Sequence, residues 1–401
     1  MNQYTSGNDF SRSDCQVIFK PKKSGTLKIN VESKVELLYG TSIKQLANDT
    51  LSTLNINSGE IIINDNGAVP FVLKSRIEAA VIKSSMSNKS AAPDIIQKVI
   101  QKTKRDRFRR SRLYIPGNQP KLMLNAGIHN ADGIILDLED SVSPDEKISA
   151  RIIVRNALRV LNFYESEKMV RINQGNIGYK DLEYIVPENV NLILLPKIEE
   201  AEDIYRIEDK IAEIKKNIGI RKEILLMPII ESAKGILNSY NIAQSSKNIA
   251  ALAIGLEDYT ADLGIERTSN DSESLFARMM LINAAKAAGI QAIDTVYSDV
   301  SDEEGLRLSV REAKSLGFEG KGCIHPRQIS IINQEFAPSL SEIEHAKKII
   351  LAFDKAKRDG IGVVSIGSKM IDPPVVKRAE KTVELAINSK LLPKNWKSKV
   401  K

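Results

Sequence analysis

The stretch "GIILDLEDSV", residues 133–142, runs Ile134, Ile135 and Leu136 straight into Asp137, Glu139 and Asp140, with Asp132 just upstream. A short apolar run without polar alternation reads as a strand buried on both faces, the kind that parallel sheets use. Comparable runs recur at 113–115, 169–172, 190–195, 224–230, 250–255, 290–295 and 322–324, so with 133–138 there are eight. Amphipathic helical stretches such as "IEEAEDIYRIEDKIAEIKKN" (198–217) and "DEEGLRLSVREAKSLG" (302–317) lie between them. This rhythm predicts the α/β class and a (β/α)₈ TIM barrel, whose polar chemistry gathers at the C-terminal ends of the strands. A doubly wound open sheet is the alternative, but no Gly-x-Gly-x-x-Gly follows the first run.

At 401 residues, with 42% apolar and 27% charged residues, the chain is long enough for two domains or one large barrel with an appendage. Cys15 and Cys323 are too far apart to suggest a disulfide framework or metal spacing, which fits a reducing cytoplasm. No apolar run approaches the ~18 residues of a membrane span, and "MNQYTSGNDF" lacks the blocks of a signal peptide. A soluble, cytoplasmic protein is expected.

The formal charge of +7 is concentrated in "KTKRDRFRRSR", residues 102–112. Such a block reads as a solvated linker or helix face, or as a site for phosphates or a polyanion. It leads directly into "LYIPG", the first barrel strand, which favours a phosphate-bearing ligand over nucleic acid. Residues 84–103 contain "SSMSNKSAAPD" and read as a linker, flexible in its first half. Upstream, 15–21 and 26–31 are predicted strands around a Lys-Lys-Ser-Gly turn, and 35–54 a helix broken near Gly40. "GEIIINDNGAVPFVL" reads as a hairpin turning at Asn-Asp-Asn-Gly, and 75–83 as a closing helix.

If the runs form a barrel, the residues just after each one converge on one mouth: Asp137, Glu139, Asp140, Arg171, Asn173, Lys197, Glu231, Glu257, Asp258, Asp294 and His325. So many acids together repel one another unless a hard cation such as Mg²⁺ holds them; the plainer alternative is that each caps a helix N-terminus.

The motifs "RRSRLYIPGN", "DGIILDLEDSVSPDEK", "VRIN", "LPKIE", "MPIIESAKGILN", "AIGLEDYTADLG", "AIDTVYSDV", "GFEGKGCIHPRQI" and "GVVSIGSKMIDPPVVKRA" occur in order over about 108–385. Together they resemble the citrate lyase β subunit, in the malyl-CoA lyase and citrate lyase β-like family. "SDCQVIF", "YGTSIKQLANDTLSTL" and "DNGAVPFVLKSRIEAAV" resemble the citrate lyase acyl carrier protein, the γ subunit. The resemblance implies a γ–β fusion: residues 1–86 an acyl-carrier-like α+β domain, 87–107 a linker with a basic end, and 108–401 the lyase barrel.

It further implies Mg²⁺ on Glu231 and Asp258, with Arg171 gripping the substrate's carboxylate end. Asp137, Glu139 and Asp140 become outer-shell partners that orient metal-bound water and Arg171, Glu139 acting with the catalytic groups, while Glu257 stands beside the metal ligand. Asp372, in "KMID", matches an acid/base contributed by a neighbouring subunit, so a homo-oligomer, trimer or hexamer, is expected. Arg110 matches a candidate for the carrier arm's phosphates, Arg112 falls at a variable position, Lys197 is electrostatic, and His325 makes a structural hydrogen bond.

The carrier's prosthetic group, phosphoribosyl dephospho-CoA, is attached in the family to a serine two residues before an Asp. Alignment on Asp14 puts Arg12 there, with Ser13, or Ser11 as the alternative, beside it. The implied reaction is Mg²⁺-dependent retro-Claisen cleavage of a citryl thioester to oxaloacetate and an acetyl thioester, in a complex with a citrate lyase α subunit. The alternatives are a free malyl-CoA or citramalyl-CoA lyase, and a non-catalytic polyanion-binding module using residues 102–112.

Overall fold

Period-two burial along the first strands builds a small sheet ahead of the barrel. The computed structural model describes residues 2–268, 271–358, 364–366 and 369–399. Strands β1 (Tyr4–Ser6), β2 (Cys15–Pro21), β3 (Leu27–Ser33) and β4 (Gly59–Asp65) pair in the order β1-β2-β4-β3, accompanied by helices α1 (Glu36–Thr53) and α2 (Pro70–Lys83). Val17, Phe19, Ile61 and Ile63 point inward and pack with Ile43, Leu51 and Ile77 of the helices.

Three local expectations change here. α1 runs unbroken through Gly40. The two strands flanking the Lys-Lys-Ser-Gly turn do not pair with each other: both flank β4, β3 in parallel with it. After the turn at Gly67, Pro70 opens α2 rather than a second hairpin strand, because proline's fixed φ suits the first helical position and its missing N–H weakens a ladder.

Eight strands then close a parallel barrel: β5 (Ser111–Pro116), β6 (Gly133–Asp137), β7 (Glu167–Arg171), β8 (Leu192–Leu195), β9 (Leu225–Ile230), β10 (Ala251–Ile254), β11 (Gln291–Asp294) and β12 (Gly320–Cys323). The helices α3 (Pro120–Leu124), α4 (Lys147–Val160), α5 (Gly175–Ile185), α6 (Ala201–Ile218) and α7 (Ala233–Gln244) follow the first five strands. α8 (Leu256–Leu263), α9 (Leu275–Ala287), α10 (Glu303–Leu316) and α11 (Pro326–Phe336) follow the rest. Local signals set their ends: Asp203 in the first turn of α6 accepts from the Glu200 N–H at 3.1 Å, and Gly219, at φ 71°, stops that helix in the left-handed region. Ile135, Met169, Leu194, Met227, Ala253 and Ile293 fill the barrel interior.

Helix α2 fastens the N-terminal domain to α4. Arg155 donates to both oxygens of Glu78 at 2.7 and 2.8 Å, and Asn156 donates to the Ser75 hydroxyl at 2.8 Å. Arg76 donates to Asp14 at 2.9 and 2.6 Å and to the Asn118 carbonyl at 3.1 Å. The linker is pinned rather than loose: Ala91 N–H donates to Glu78 at 2.9 Å, Ile96 N–H to the Arg159 carbonyl at 3.0 Å, and Asn189 to the Val99 carbonyl at 2.8 Å.

The chain divides into two compact units, Met1–Ile329 and Ser330–Lys401. The second contains α12 (Leu340–Arg358), strands β13 (Val364–Ile366) and β14 (Lys369–Ile371), and α13 (Pro373–Asn388). Its core gathers Ile349, Ile350, Ile371, Val376, Val383 and Trp396. No helix among the described residues is long and apolar enough to cross a membrane.

Candidate active site

Strand parity decides which polar groups meet at the mouth. Asp137 and Arg171 end neighbouring strands in register and both face inward. Arg171 Nε and Nη2 donate to the two Asp137 oxygens at 2.6 and 2.7 Å, while Nη1 lies 2.8 Å from Glu139 Oε2 and 3.3 Å from Asp140 Oδ2. One guanidinium therefore ties together three acids of the opening motif, with the Tyr114 ring 5.3 Å away. Backbone N–H groups of Glu139 and Ser141 donate to Asp137 at 3.0 and 3.2 Å. Burial by itself would raise the Asp137 pKa, but the Arg171 pair outweighs it and holds the carboxyl below the usual range.

Glu231 follows β9 and is 7% exposed. It accepts from the Lys197 backbone N–H at 3.0 Å. On its other side Gly255 leaves the carboxylate its place, since a Cβ there would lie 2.5 Å from Glu231 Oε1 and 2.6 Å from its Cγ and would displace the side chain. Burial, reinforced by the charges of Asp258 and Glu139, pushes the Glu231 carboxyl up to about 8. Glu139 is raised by burial to about 7. Asp258, in the first turn of α8, pairs with Lys197 Nζ at 3.1 Å, and Lys197 stands at φ 51°, presenting N–H and ammonium to the two acids. Glu257 pairs instead with Arg267 at 2.7 Å.

Asp137, Asp140, Arg171, Glu231, Glu257 and Asp258 line one cavity of about 460 Å³. Among the described residues no cluster of three His, Cys, Asp or Glu forms a ready-made metal cage. Glu231 and Asp258 nonetheless bring two hard carboxylates to one cavity, close enough for the Asp258 charge to raise the cost of ionising Glu231, and two carboxylates completed by water and substrate oxygens are what Mg²⁺ takes.

Other expected residues lie elsewhere. Arg110 precedes β5 and so sits at the strand end opposite the mouth, donating to both Asp132 oxygens at 2.8 and 2.9 Å; its expected hold on a carrier arm at the mouth does not match that place. Asp294 faces outward from the barrel, to Lys321 at 2.7 Å and Arg278 at 3.2 Å, because Ile293 takes the inward position. Asn173 donates to Asp181 at 2.8 Å, and His325 Nδ1 accepts from the Arg327 N–H at 3.2 Å. Asp372 caps α13, accepting from the Val375 N–H at 3.2 Å. Half-buried Ser11 and Ser13 flank exposed Arg12, Ser13 at φ 59°.

The second half of the basic segment is built into the fold rather than solvated. Arg109 is fully buried on Glu167 at 2.7 Å and Gln291 at 2.8 Å, Arg107 donates to the carbonyls of Asp132 and Glu165, and Arg112 lies inside the barrel. Lys102, Lys104 and Arg105 stay exposed at the start of the segment, so the buried part is structural and the exposed cations are those nearest the linker. Sequence reasoning passed over Arg112, Tyr114 and Thr295 as cavity-lining residues. The signal for the first two was their spacing, two apart on a strand whose last inward residue is Pro116.

Residues 110–326 match the HpcH/HpaI aldolase/citrate lyase family, and residues 5–84 match the malonate decarboxylase delta subunit (MdcD) family. Citrate lyase subunit beta of Leuconostoc mesenteroides subsp. cremoris is 40% identical over 284 residues, covering 70% of this chain and 94% of that protein. Human mitochondrial citramalyl-CoA lyase is 34% identical, over 70% of this chain and 86% of its own. Among solved structures, the protein CitE from Mycobacterium tuberculosis in complex with magnesium, acetoacetate and coenzyme A superposes with a TM-score of 0.59 at 28% identity, over 71% of this chain and 99% of that one.

Proposed function

We propose, since the chain belongs to the HpcH/HpaI aldolase/citrate lyase family and is a carbon–carbon lyase, that it cleaves a citryl thioester to oxaloacetate and an acetyl thioester. The observation that carries this reading is the shared cavity in which Glu231 and Asp258 stand beside Arg171. Glu231 and Asp258 would hold Mg²⁺, which supplies Lewis-acid polarisation and a template for the hydroxy-acid end of the substrate. Arg171, locked by Asp137, presents a fixed cationic edge to the substrate carboxylate. Glu139 and Asp140 steady that edge, and Lys197 holds Asp258 in place. Cleavage requires the substrate hydroxyl to lose its proton and the acetyl carbon to gain one. Asp372 of a neighbouring subunit is the acid/base assigned to these transfers, which makes a trimer or hexamer with shared sites part of the reading.

Residues 1–86 serve as the carrier domain, 87–107 as linker and 108–401 as the lyase domain, working with a citrate lyase α subunit. Ser13, or Ser11, would carry phosphoribosyl dephospho-CoA. The neighbouring Asp14 is tied through Arg76 to the Asn118 carbonyl, in the loop leaving the C-terminal end of β5, so the attachment loop borders the mouth side of the barrel. Mass spectrometry of the protein from its native host, with Ser13→Ala as control, tests the modification: a variant that still gains the mass excludes Ser13.

The activity is tested by supplying the full chain with citryl-CoA and Mg²⁺ and detecting oxaloacetate through malate dehydrogenase. Mg²⁺-dependent oxaloacetate is expected. Inert citryl-CoA alongside cleaved citramalyl-CoA or malyl-CoA would replace this reading with that of a free CoA-thioester lyase.

A further inference from the structure

Two guanidinium groups line the cavity, and they are in opposite situations. Arg171 meets three acids. Arg112, 1% exposed, meets none. Its Nη1 points at Met227 Sδ at 3.2 Å, its Nη2 reaches the Asp294 backbone carbonyl at a long 3.4 Å, and its Nε has no partner. The Asp294 carboxylate is turned away to Lys321 and Arg278 on the outer side of the wall.

The cavity reaches Arg112 because the surrounding inward positions are small: Ala253 and Gly255 on one side and Gly322 on the other. Gly322 has no room for more, since a Cβ there would lie 2.7 Å from Val296 Cγ1 and 3.3 Å from Tyr114 Cε2. A buried, permanently charged group without an anion is costly, and a chain retains one where a ligand supplies the counter-charge. Burial also pulls the Arg112 pKa down, the direction opposite to that of Arg171, which its acids raise.

We infer that Arg112 receives a second carboxylate on the keto-acid half of the substrate, so that the cavity selects a dicarboxylic 2-oxo acid, such as oxaloacetate, over monocarboxylic pyruvate or glyoxylate. This rests on the lyase reading above and sharpens it. The 2-oxo acid's own carboxylate belongs to the mouth, with Arg171, Glu231 and Asp258. The extra –CH₂COO⁻ arm points inward to the one lining guanidinium with no acid partner. Arg112 thereby separates a citryl from a citramalyl or malyl thioester, which differ in that arm.

The test is calorimetric titration of the full-length chain with oxaloacetate and with pyruvate, each in Mg²⁺, for wild type, Arg112→Met and Arg112→Gln. The expected result is tighter binding of oxaloacetate than of pyruvate by the wild type. Arg112→Met then weakens oxaloacetate about 10- to 100-fold, the range of a hydrogen bond between charged groups, and leaves pyruvate within about twofold. Arg112→Gln, keeping two donors, falls between. Melting of the ligand-free variants no lower than wild type is also expected, because an unpartnered charge has been removed. Equal weakening of both acids, no weakening of either, or failure of both variants to fold overturns the assignment, since each would make Arg112 structural or remote. Wild-type binding of neither acid would overturn the lyase reading itself, and this inference with it.

Discussion

Charge is buried in two places in this chain, on opposite terms. Where α2 of the N-terminal domain meets α4, Arg155 faces Glu78, and on the same helix Arg76 faces Asp14 of the N-terminal domain itself, each acid gripped in two places. At the barrel mouth Glu231 lies among other acids, and below it Arg112 faces a sulfur and a carbonyl. Matched burial at the first place fixes one arrangement of two parts of the chain. Mismatched burial at the second leaves an acid awaiting a cation and a cation awaiting an acid, a pattern typical of functional sites rather than of scaffolding. The N-terminal domain is therefore held on the barrel by matched charges, while the unmatched ones gather at the mouth.

The largest effect should come from unmatching the matched region. Arg155→Met leaves Glu78 buried without its cation and is expected to cost about 3–5 kcal/mol in urea unfolding, whereas Arg155→Met with Glu78→Met should be far milder. A double variant as damaging as the single one would show that the pair is not what holds that surface together.

Next in size is the proposed acid/base. Asp372→Asn should lower kcat by about 10²- to 10⁴-fold with KM little changed. If the residue is contributed in trans, mixing the subunits of Asp372→Asn and Glu231→Gln should restore part of the lost turnover. Persistently dead mixtures would place Asp372 in its own subunit's site or outside the chemistry.

Removing a proposed metal-holding carboxylate by Glu231→Gln should cost more than the roughly 10- to 100-fold typical of outer-shell partners, and Asp137→Asn should fall within that range. Equal losses would erase the distinction drawn between them.

The smallest effect is on pH dependence. Glu231 is raised to about 8 and Glu139 to about 7 in the folded chain, against about 4.3 unfolded. A raised carboxyl contributes stability that is complete below its unfolded value and lost as pH rises through its folded value. The melting temperature in chelator should thus fall gradually between about pH 5 and 8, and Glu231→Gln should flatten the decline. Mg²⁺ should flatten it too, by taking the place of the proton.

The barrel was legible because strands buried on both faces carry a signal that nothing local opposes: all eight apolar runs became β5 to β12. The small sheet was read less well. Asn-Asp-Asn-Gly announces a turn but leaves the next element open, and Pro70 chose a helix. The basic block misled because charge clusters in sequence look solvated, while Arg109 finds Glu167 58 residues away and Gln291 182 residues away. Asp294 was misplaced by a single step of strand parity, which sends neighbours to opposite sides of the wall. Arg112 was hidden by the same block, since only closure of the barrel shows that it faces inward without an acid.

The most direct test is anomalous diffraction from crystals of the chain grown with Mn²⁺ in place of Mg²⁺ and soaked with oxaloacetate. One peak within coordination distance of both Glu231 and Asp258 is predicted, with the oxo acid running from it toward Arg112. A peak elsewhere in the barrel, or none while oxaloacetate is bound, would contradict the pairing of those two acids.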